Sequence, residues 1–261
     1  MKNLKGITAV ITGGASGIGA ATASLLSEKG CKVALWDMNL ETAKSHAQTI
    51  GGAAFQVDVT SGESVEKALA ETTKELGAPR ILINCAGILI GARIIGRDGA
   101  ADLEHFTKTL AVNLSGTYNT MRLCAFAMSG LEPLDEQDGS NNDSERGVII
   151  NTASIAAFEG QIGQAAYAAS KGGVVSMTLP AAREFGKFGI RVMTIAPGAV
   201  ETPMMAGVKD EYREAIEKSV PFPSRMAKPQ EFAALALHII QNSYLNGDVI
   251  RLDGASRLAA K

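Results

Sequence analysis

The stretch Thr8-Ala9-Val10-Ile11-Thr12-Gly13-Gly14-Ala15-Ser16-Gly17-Ile18-Gly19 decides how the rest of the chain is read. A short apolar, β-branched run enters a glycine-rich turn, and Ala and Leu at helical spacing follow as far as Lys29. Strand, glycine turn and helix, in that order, suit a dinucleotide pyrophosphate. Glycine lets the backbone approach the phosphates, and the unpaired N–H groups at the helix N-terminus attract negative charge. Taken alone the turn is also compatible with a tight βα connection, the lesser of the two readings.

The same rhythm repeats outward from this stretch. Strands are predicted at Thr8–Thr12, Lys32–Asp37, Ala53–Val57, Ile81–Asn84, Val148–Thr152, Arg191–Ile195 and Asp248–Leu252. Helices are predicted between them at Gly17–Lys29, Leu40–Ile50, Glu63–Leu76, Leu103–Ser129, Gln164–Phe185 and Gln230–Gln241. Alternating strands and helices predict an α/β chain with a doubly wound, seven-stranded parallel sheet flanked by helices. A chain of 261 residues with no internal repeat and no low-complexity linker fits one domain spanning 1–261. Two segments break the rhythm. Residues 131–146 carry six acids and one base and read as a solvated acidic loop. Residues 198–229, rich in proline with a short helical stretch near Asp210–Ser219, read as a lid over a site.

Composition excludes several classes. A net charge of -2 argues against a nucleic-acid partner, which would call for a basic excess. Hydrophobic residues at 46% and charged residues at 20% exclude a disordered chain. No uninterrupted apolar run reaches membrane-spanning length, and the glycines and polar residues between Ile7 and Leu26 break what would otherwise imitate a secretory leader. Cys31, Cys85 and Cys124 are scattered and odd in number, which fits a reducing, cytoplasmic compartment. His46, His105 and His238 lack ligand spacing, and no metal is expected.

Two further sets of residues bear on chemistry. Asp37 ends the second strand 18 residues beyond Gly19, near the separation of about 20 at which an acid holds the adenosine ribose hydroxyls. No Arg lies beside it in Trp36-Asp37-Met38-Asn39 to offset a 2′-phosphate, so NAD is expected over NADP. The competing reading makes Asp37 the N-cap of the next helix. Ser154 follows the fifth strand, Tyr167 comes 13 residues later, and Lys171 lies one helical turn beyond. That turn puts ammonium and phenol on one face. A free phenol has a pKa of about 10, so a neighbouring cation would be needed to favour the phenolate, a load of about 3 to 4 kcal/mol shared with an oxidised nicotinamide ring.

Thr12 to Gly19, Asn84-Cys85-Ala86-Gly87, Asn113, Ser154, Tyr167, Lys171 and Pro197-Gly198, in this order along essentially the whole chain, resemble the short-chain dehydrogenase/reductase pattern. The resemblance implies a Rossmann fold and an NAD-dependent enzyme that interconverts alcohol and ketone. Tyr167 would be its general acid/base, Ser154 the residue orienting the substrate oxygen, and Lys171 the group lowering the phenol pKa and binding the nicotinamide ribose. Asn113 would hold a water that relays protons between Lys171 and solvent. For the cofactor it implies Gly13, Ser16, Gly17, Ile18 and Gly19 at the pyrophosphate and Asp37 at the ribose. Asp58 and Val59 would border the adenine, Asn84, Ala86 and Gly87 would lie beside the adenosine ribose, and Pro197, Gly198, Val200 and Thr202 would hold the carboxamide.

Stretches outside that pattern narrow it further. Gly147 to Gln161, Met177 to Pro180, Val220 to Arg225 and Leu245 to Gly254 resemble the type 2 3-hydroxyacyl-CoA dehydrogenases within the family. This implies oxidation of a short or branched (S)-3-hydroxyacyl-CoA in fatty acid metabolism, by a homotetramer packed through the helices at 103–129 and 164–185. Gln161 and Gln164 are candidate substrate contacts, with surface or cap roles as the alternative. Arg93 and Arg97 are candidates for the CoA phosphates, in a loop at 88–102 that departs from the group. The alternatives are the same chemistry on a CoA-free secondary alcohol, cyclic alcohol or hydroxysteroid, and a non-catalytic NAD-binding scaffold. The complete Asn113, Ser154, Tyr167 and Lys171 set argues against the scaffold.

Overall fold

The computed structural model describes residues 1–97, 99–134, 145–205 and 210–260. Seven strands, β1 (Thr8–Thr12), β2 (Lys32–Asp37), β3 (Ala53–Gln56), β4 (Ile81–Asn84), β5 (Gly147–Thr152), β6 (Ile190–Pro197) and β7 (Val249–Leu252), form one sheet in the order β3-β2-β1-β4-β5-β6-β7. Every pairing is parallel, with Ala9 opposite Ile81 and Val33, and Val148 opposite Ile81 and Arg191. Because helices cover both faces, the central strands are buried on both sides and read as continuous apolar runs.

The alternation of side chains within each strand builds two cores. Ala9 and Ile11 of β1, Ile81 and Ile83 of β4, and Val148 and Ile150 of β5 face helices α1 (Gly17–Glu28), α2 (Leu40–Ile50) and α8 (Pro229–Gln241). The intervening Val10, Leu82 and Ile149 face α3 (Gly62–Leu76), α5 (Gly116–Ser129) and α6 (Ala165–Gly186). Strand order reverses between β1 and β4. In such sheets the crevice outside the carboxyl ends of the strands at this reversal is where ligands bind.

The expected architecture holds, with local differences. The helix predicted over Leu103–Ser129 is divided: α4 (Leu103–Leu110) leads into a π-helical turn at Ala111–Ser115 before α5. Asn113 is the middle residue of that turn, and such bulges recur at functional sites. Strand β6 runs to Pro197, two residues past its predicted end, and a short helix α7 (Asp210–Ser219) stands where one was expected within 198–229. Of the acidic segment 131–146, residues 135–144 lie outside the described residues, as do 206–209 of the segment 198–229.

Candidate active site

The glycine turn after β1 is shaped by close backbone approach. Gly13 has φ +63°, in the left-handed region, and a Cβ there would lie 2.9 Å from the Ala86 amide nitrogen. A Cβ on Gly19 would collide with the Gly13 carbonyl oxygen, so the first turn of α1 can rest on the loop only without a side chain. Buried Thr12 joins this turn to the end of β4, its hydroxyl oxygen accepting from the Cys85 and Ala86 amides, each at 3.1 Å. Ser16 caps α1 in extended conformation and spends no side-chain bond on it. The first amides of the helix, Gly17, Ile18 and Gly19, have no intrahelical acceptor. Across the crevice, Gly17 faces the Thr202 side chain. This cradle of free amides, held tight by glycines that admit no Cβ at 13 and 19, fits a pyrophosphate.

Asp37 stands beside the same turn. Its Oδ2 accepts from the Ala15 amide at 3.1 Å and its Oδ1 from the Asn39 amide at 2.9 Å. The α2 cap is Asn39, whose Oδ1 accepts from Thr42, so the capping alternative for Asp37 falls away. Asp58, beyond β3, accepts from the Thr60 amide and hydroxyl, and the Val59 carbonyl accepts from Asn119 Nδ2 at 2.9 Å. Asn84 is buried with its amide committed inward: Nδ2 donates to Asn151 Oδ1 at 2.9 Å and Oδ1 accepts from Thr120 at 2.7 Å. Its side chain is therefore an interior strut, and the backbone of Ala86 and Gly87 borders the crevice. On the far side Pro197 closes β6, a Cβ on Gly198 would lie 3.1 Å from Asp253, and Val200 is buried and bridged to Ala227.

The catalytic candidates converge beyond β5. Ser154 caps a short 3₁₀ turn at Ile155–Ala157, where its Oγ accepts from the Ala156 amide at 3.1 Å. That bond leaves its proton free to donate, and the nearby Ser154 hydroxyl is the influence that pulls the Tyr167 phenol downward. Lys171 is buried under the turn, its Nζ donating to the Thr152 carbonyl at 2.7 Å and lying 5.8 Å from the Tyr167 ring centre. Asn113 is fully buried. It accepts from Ile88 N at 2.8 Å, and its Nδ2 donates to Ile88 O and to Ser170 Oγ. Ser170 in turn donates to the Tyr167 carbonyl at 2.7 Å, so the π-helical turn is tied to the first turn of α6. Gly87 lets this cluster close: a Cβ there would lie 3.3 Å from Asn113 Oδ1 and 3.6 Å from Lys171 Nζ.

Electrostatics here differ from the sequence reading in one respect. A Lys171 cation was expected to favour the phenolate, yet burial pushes the Tyr167 phenol above its ordinary value, with the Ser154 hydrogen bond pulling the other way. Lys171 itself is pushed down to about 8 by burial, opposed by its proximity to Cys85. The Cys85 thiol is raised to about 11 by burial, against the Thr152 hydrogen bond and Lys171. The protein alone thus disfavours charge on both partners, and a further positive charge at the site would be needed to bring the phenolate within reach of neutral pH.

Gln161 and Gln164 lie between Ser154 and Tyr167. Gln164 Nε2 donates to Gln161 Oε1 at 3.2 Å, and Gln164 Oε1 is buried without a partner among the described residues. Arg93 and Arg97 are exposed on either side of Ile95, which makes an isolated antiparallel bridge with Ala100. Sequence reasoning missed the Thr152 carbonyl, a backbone atom with no residue signature, and Ser170, an ordinary helix serine by pattern. It also missed the pairing of Glu159 with Arg251, 92 residues apart. Among the described residues no group of three or more His, Cys, Asp or Glu could hold a metal, and Cys31, Cys85 and Cys124 are unpaired. No helix among the described residues is long and apolar enough to cross a membrane.

Comparison with known proteins bears on this arrangement. The family model for short chain dehydrogenase matches residues 7–213. The chain is 48% identical over 261 residues to 3-hydroxyacyl-CoA dehydrogenase type-2 of Bos taurus, covering 98% of this chain and 97% of the relative. It is 46% identical to the Homo sapiens protein of the same name, with the same coverage. The crystal structure of 3-hydroxyacyl-CoA dehydrogenase type-2 from Mycobacterium avium superposes with a TM-score of 0.92 at 42% identity, covering 100% of both chains.

Proposed function

The chain belongs to the short-chain dehydrogenase family, oxidoreductases that use nicotinamide cofactors, and from that premise we propose that it oxidises a short or branched (S)-3-hydroxyacyl-CoA to the 3-ketoacyl-CoA with NAD. The observation that carries the reading is the convergence of Ser154, Tyr167 and Lys171 at the open end of the sheet beside a glycine cradle. The 3-hydroxyacyl-CoA class is supported by relatives at 46–48% identity named 3-hydroxyacyl-CoA dehydrogenase type-2, which the chain covers nearly end to end. The short or branched acyl chain and the (S) configuration are what the resemblance of 147–161, 177–180, 220–225 and 245–254 implies.

NAD, when bound, supplies the hydride acceptor and the positive ring charge that the buried phenol lacks. Gly13 and the amides of Ser16, Gly17, Ile18 and Gly19 hold the pyrophosphate, and Asp37 accepts from the ribose hydroxyls, its neighbour being exposed Met38 and not a base. Asp58 and Val59 border the adenine, and Ala86 and Gly87 the adenosine ribose. Pro197, Gly198, Val200 and Thr202 hold the carboxamide. Ser154 orients the substrate oxygen by hydrogen bond. Tyr167 accepts the alcohol proton as the carbinol C–H leaves as hydride and the C=O bond forms. Lys171, anchored on the Thr152 carbonyl, keeps its charge close to the phenol. Any relay water at the Asn113 turn would be held by its backbone, the side chain being committed to Ile88 and Ser170.

The same reading makes the molecule a cytoplasmic homotetramer. Its support is a group of exposed aromatics lining one hollow between α5 and α6, with Phe126 80% exposed and Tyr118 and Phe188 in the same hollow, and three unpaired cysteines. Light scattering would give a mass four times that of the chain.

The substrate is tested by comparing kcat/KM, with NAD, for 3-hydroxybutyryl-CoA, 2-methyl-3-hydroxybutyryl-CoA and CoA-free secondary alcohols including a hydroxysteroid. The CoA esters are expected to lead by at least about tenfold. Equal or faster turnover of the CoA-free alcohols would replace this substrate class with that one.

A further inference from the structure

The segment 158–164 joins Ser154 to Tyr167 and is tethered from both sides. On one side the Ala92 amide donates to the Gly163 carbonyl at 2.9 Å. On the other, every tie comes from the C-terminal stretch. Arg251 of β7 places Nη1 and Nη2 at 2.8 and 3.2 Å from the two Glu159 oxygens, with its guanidinium 5.3 Å above the Phe158 ring. Its Nε holds Asp253 at 2.7 Å, and Arg257 Nε lies 3.3 Å from Glu159. Leu258 N donates to Glu159 Oε2, Gln161 Nε2 to Ala259 O, and Ile162 N to Ala260 O, all within 3.0–3.1 Å. A planar fork gripping one carboxylate through two bonds and a second through its remaining edge fixes orientation in a way that a point charge cannot.

This clip sets the polarity of a chain of amides. The Ala259 carbonyl can only accept, so Gln161 must turn its NH₂ toward it, and Gln161 Oε1 is left to accept from Gln164 Nε2. With its NH₂ donating to Gln161, Gln164 is left with a carbonyl oxygen that is buried without a partner among the described residues, three residues before Tyr167 in sequence. A buried acceptor left unpaired is unfavourable, and a hydrogen-bond donor arriving with the substrate relieves it.

We propose that Glu159 and Arg251 are positioning residues for substrate recognition: they clip the C-terminal stretch to segment 158–164 so that Gln164 offers an acceptor beside Tyr167 to an amide N–H of the substrate. The inference rests on the acyl-CoA reading above, because the pantetheine arm of an acyl-CoA carries such a donor a few bonds beyond the thioester, whereas a simple alcohol has only its reacting hydroxyl. It gives the C-terminal stretch a part in selecting substrate without touching the reacting atoms.

The test uses two truncated thioesters of 3-hydroxybutyrate, one with N-acetylcysteamine, which keeps the first amide N–H, and one with ethanethiol, which lacks it. The wild-type protein should prefer the first by about tenfold in kcat/KM, the order expected of one well-placed hydrogen bond. Glu159→Gln and Gln164→Leu should reduce that preference to about twofold or less, mainly through KM for the amide-bearing thioester, with the KM for NAD unchanged. Arg251→Lys should fall between. Gln161→Leu leaves the ion cluster in place and carries the same expectation should Glu159→Gln fold poorly. Variants that keep the wild-type preference, or that slow both thioesters equally, would overturn the proposal. No oxidation of any 3-hydroxyacyl thioester by the wild-type protein would overturn the acyl-CoA reading and this inference with it.

Discussion

The two halves of the crevice are made of different material. From β3 to β1 it is mostly backbone: glycines at 13 and 19 that admit no Cβ, free amides at the start of α1, and an Asp37 that also braces the turn through Ala15. From β5 to β7 it is side chain: Ser154 and Tyr167, Lys171 buried against the Thr152 carbonyl, and Glu159 on Arg251. Backbone donors bring no ionisable group and stay fixed whatever the pH. Buried ionisable side chains sit in an environment that opposes their charge, and so become responsive to pH and to whatever charge binds next to them. Binding is therefore assigned to the half that is rigid and electrically quiet, and chemistry to the half that is strained in protonation.

That contrast can be broken most sharply at Tyr167. Tyr167→Phe removes the proton acceptor and leaves the ring packing intact, so turnover should fall by about a thousandfold in a steady-state assay. A variant with more than a tenth of wild-type turnover would remove the phenol from the chemistry. In the other half, Asp37→Ala should weaken NAD by about tenfold and narrow its preference over NADP, read from KM for the two cofactors. Unchanged KM values would leave Asp37 only its bracing role.

The smallest expected effect is in pH. The phenol must be ionised to accept a proton, and burial raises its value, so the ionised fraction, and with it kcat/KM for oxidation, should rise from pH 7 toward 9. Lys171 loses its proton near 8, which withdraws the cation and should flatten the rise. The gain is expected to be about three- to tenfold, with the apparent values belonging to the Tyr167–Lys171 pair and not to either residue. A rate that falls steadily above pH 7 would contradict this assignment.

The strand, glycine turn and helix with Asp37 beside them were legible in the sequence, because that order followed by an acid at a fixed separation is a local pattern. Tyr167 and Lys171 were legible for the same reason, being one helical turn apart. Their protonation was not, since burial is set by the whole fold and reverses the direction expected from the pair alone. The π-helical turn at Ala111–Ser115 leaves no trace in apolar periodicity, and one long helix is the natural reading of that stretch. Asn84 carries a motif that points to ligand but is spent on Asn151 and Thr120 in the interior. Glu159 and Arg251 meet only because β7 ends beside the segment after Ser154, which no spacing rule foretells.

Calorimetric titration of NAD onto the wild-type protein, Tyr167→Phe and Gly19→Ala, side by side, tests the division of labour directly. Gly19→Ala forces the start of α1 off the Gly13 carbonyl and should weaken NAD by at least about tenfold, whereas Tyr167→Phe should bind within about twofold of wild type although it no longer turns over. The opposite pattern, with NAD lost from Tyr167→Phe and retained by Gly19→Ala, would contradict the account.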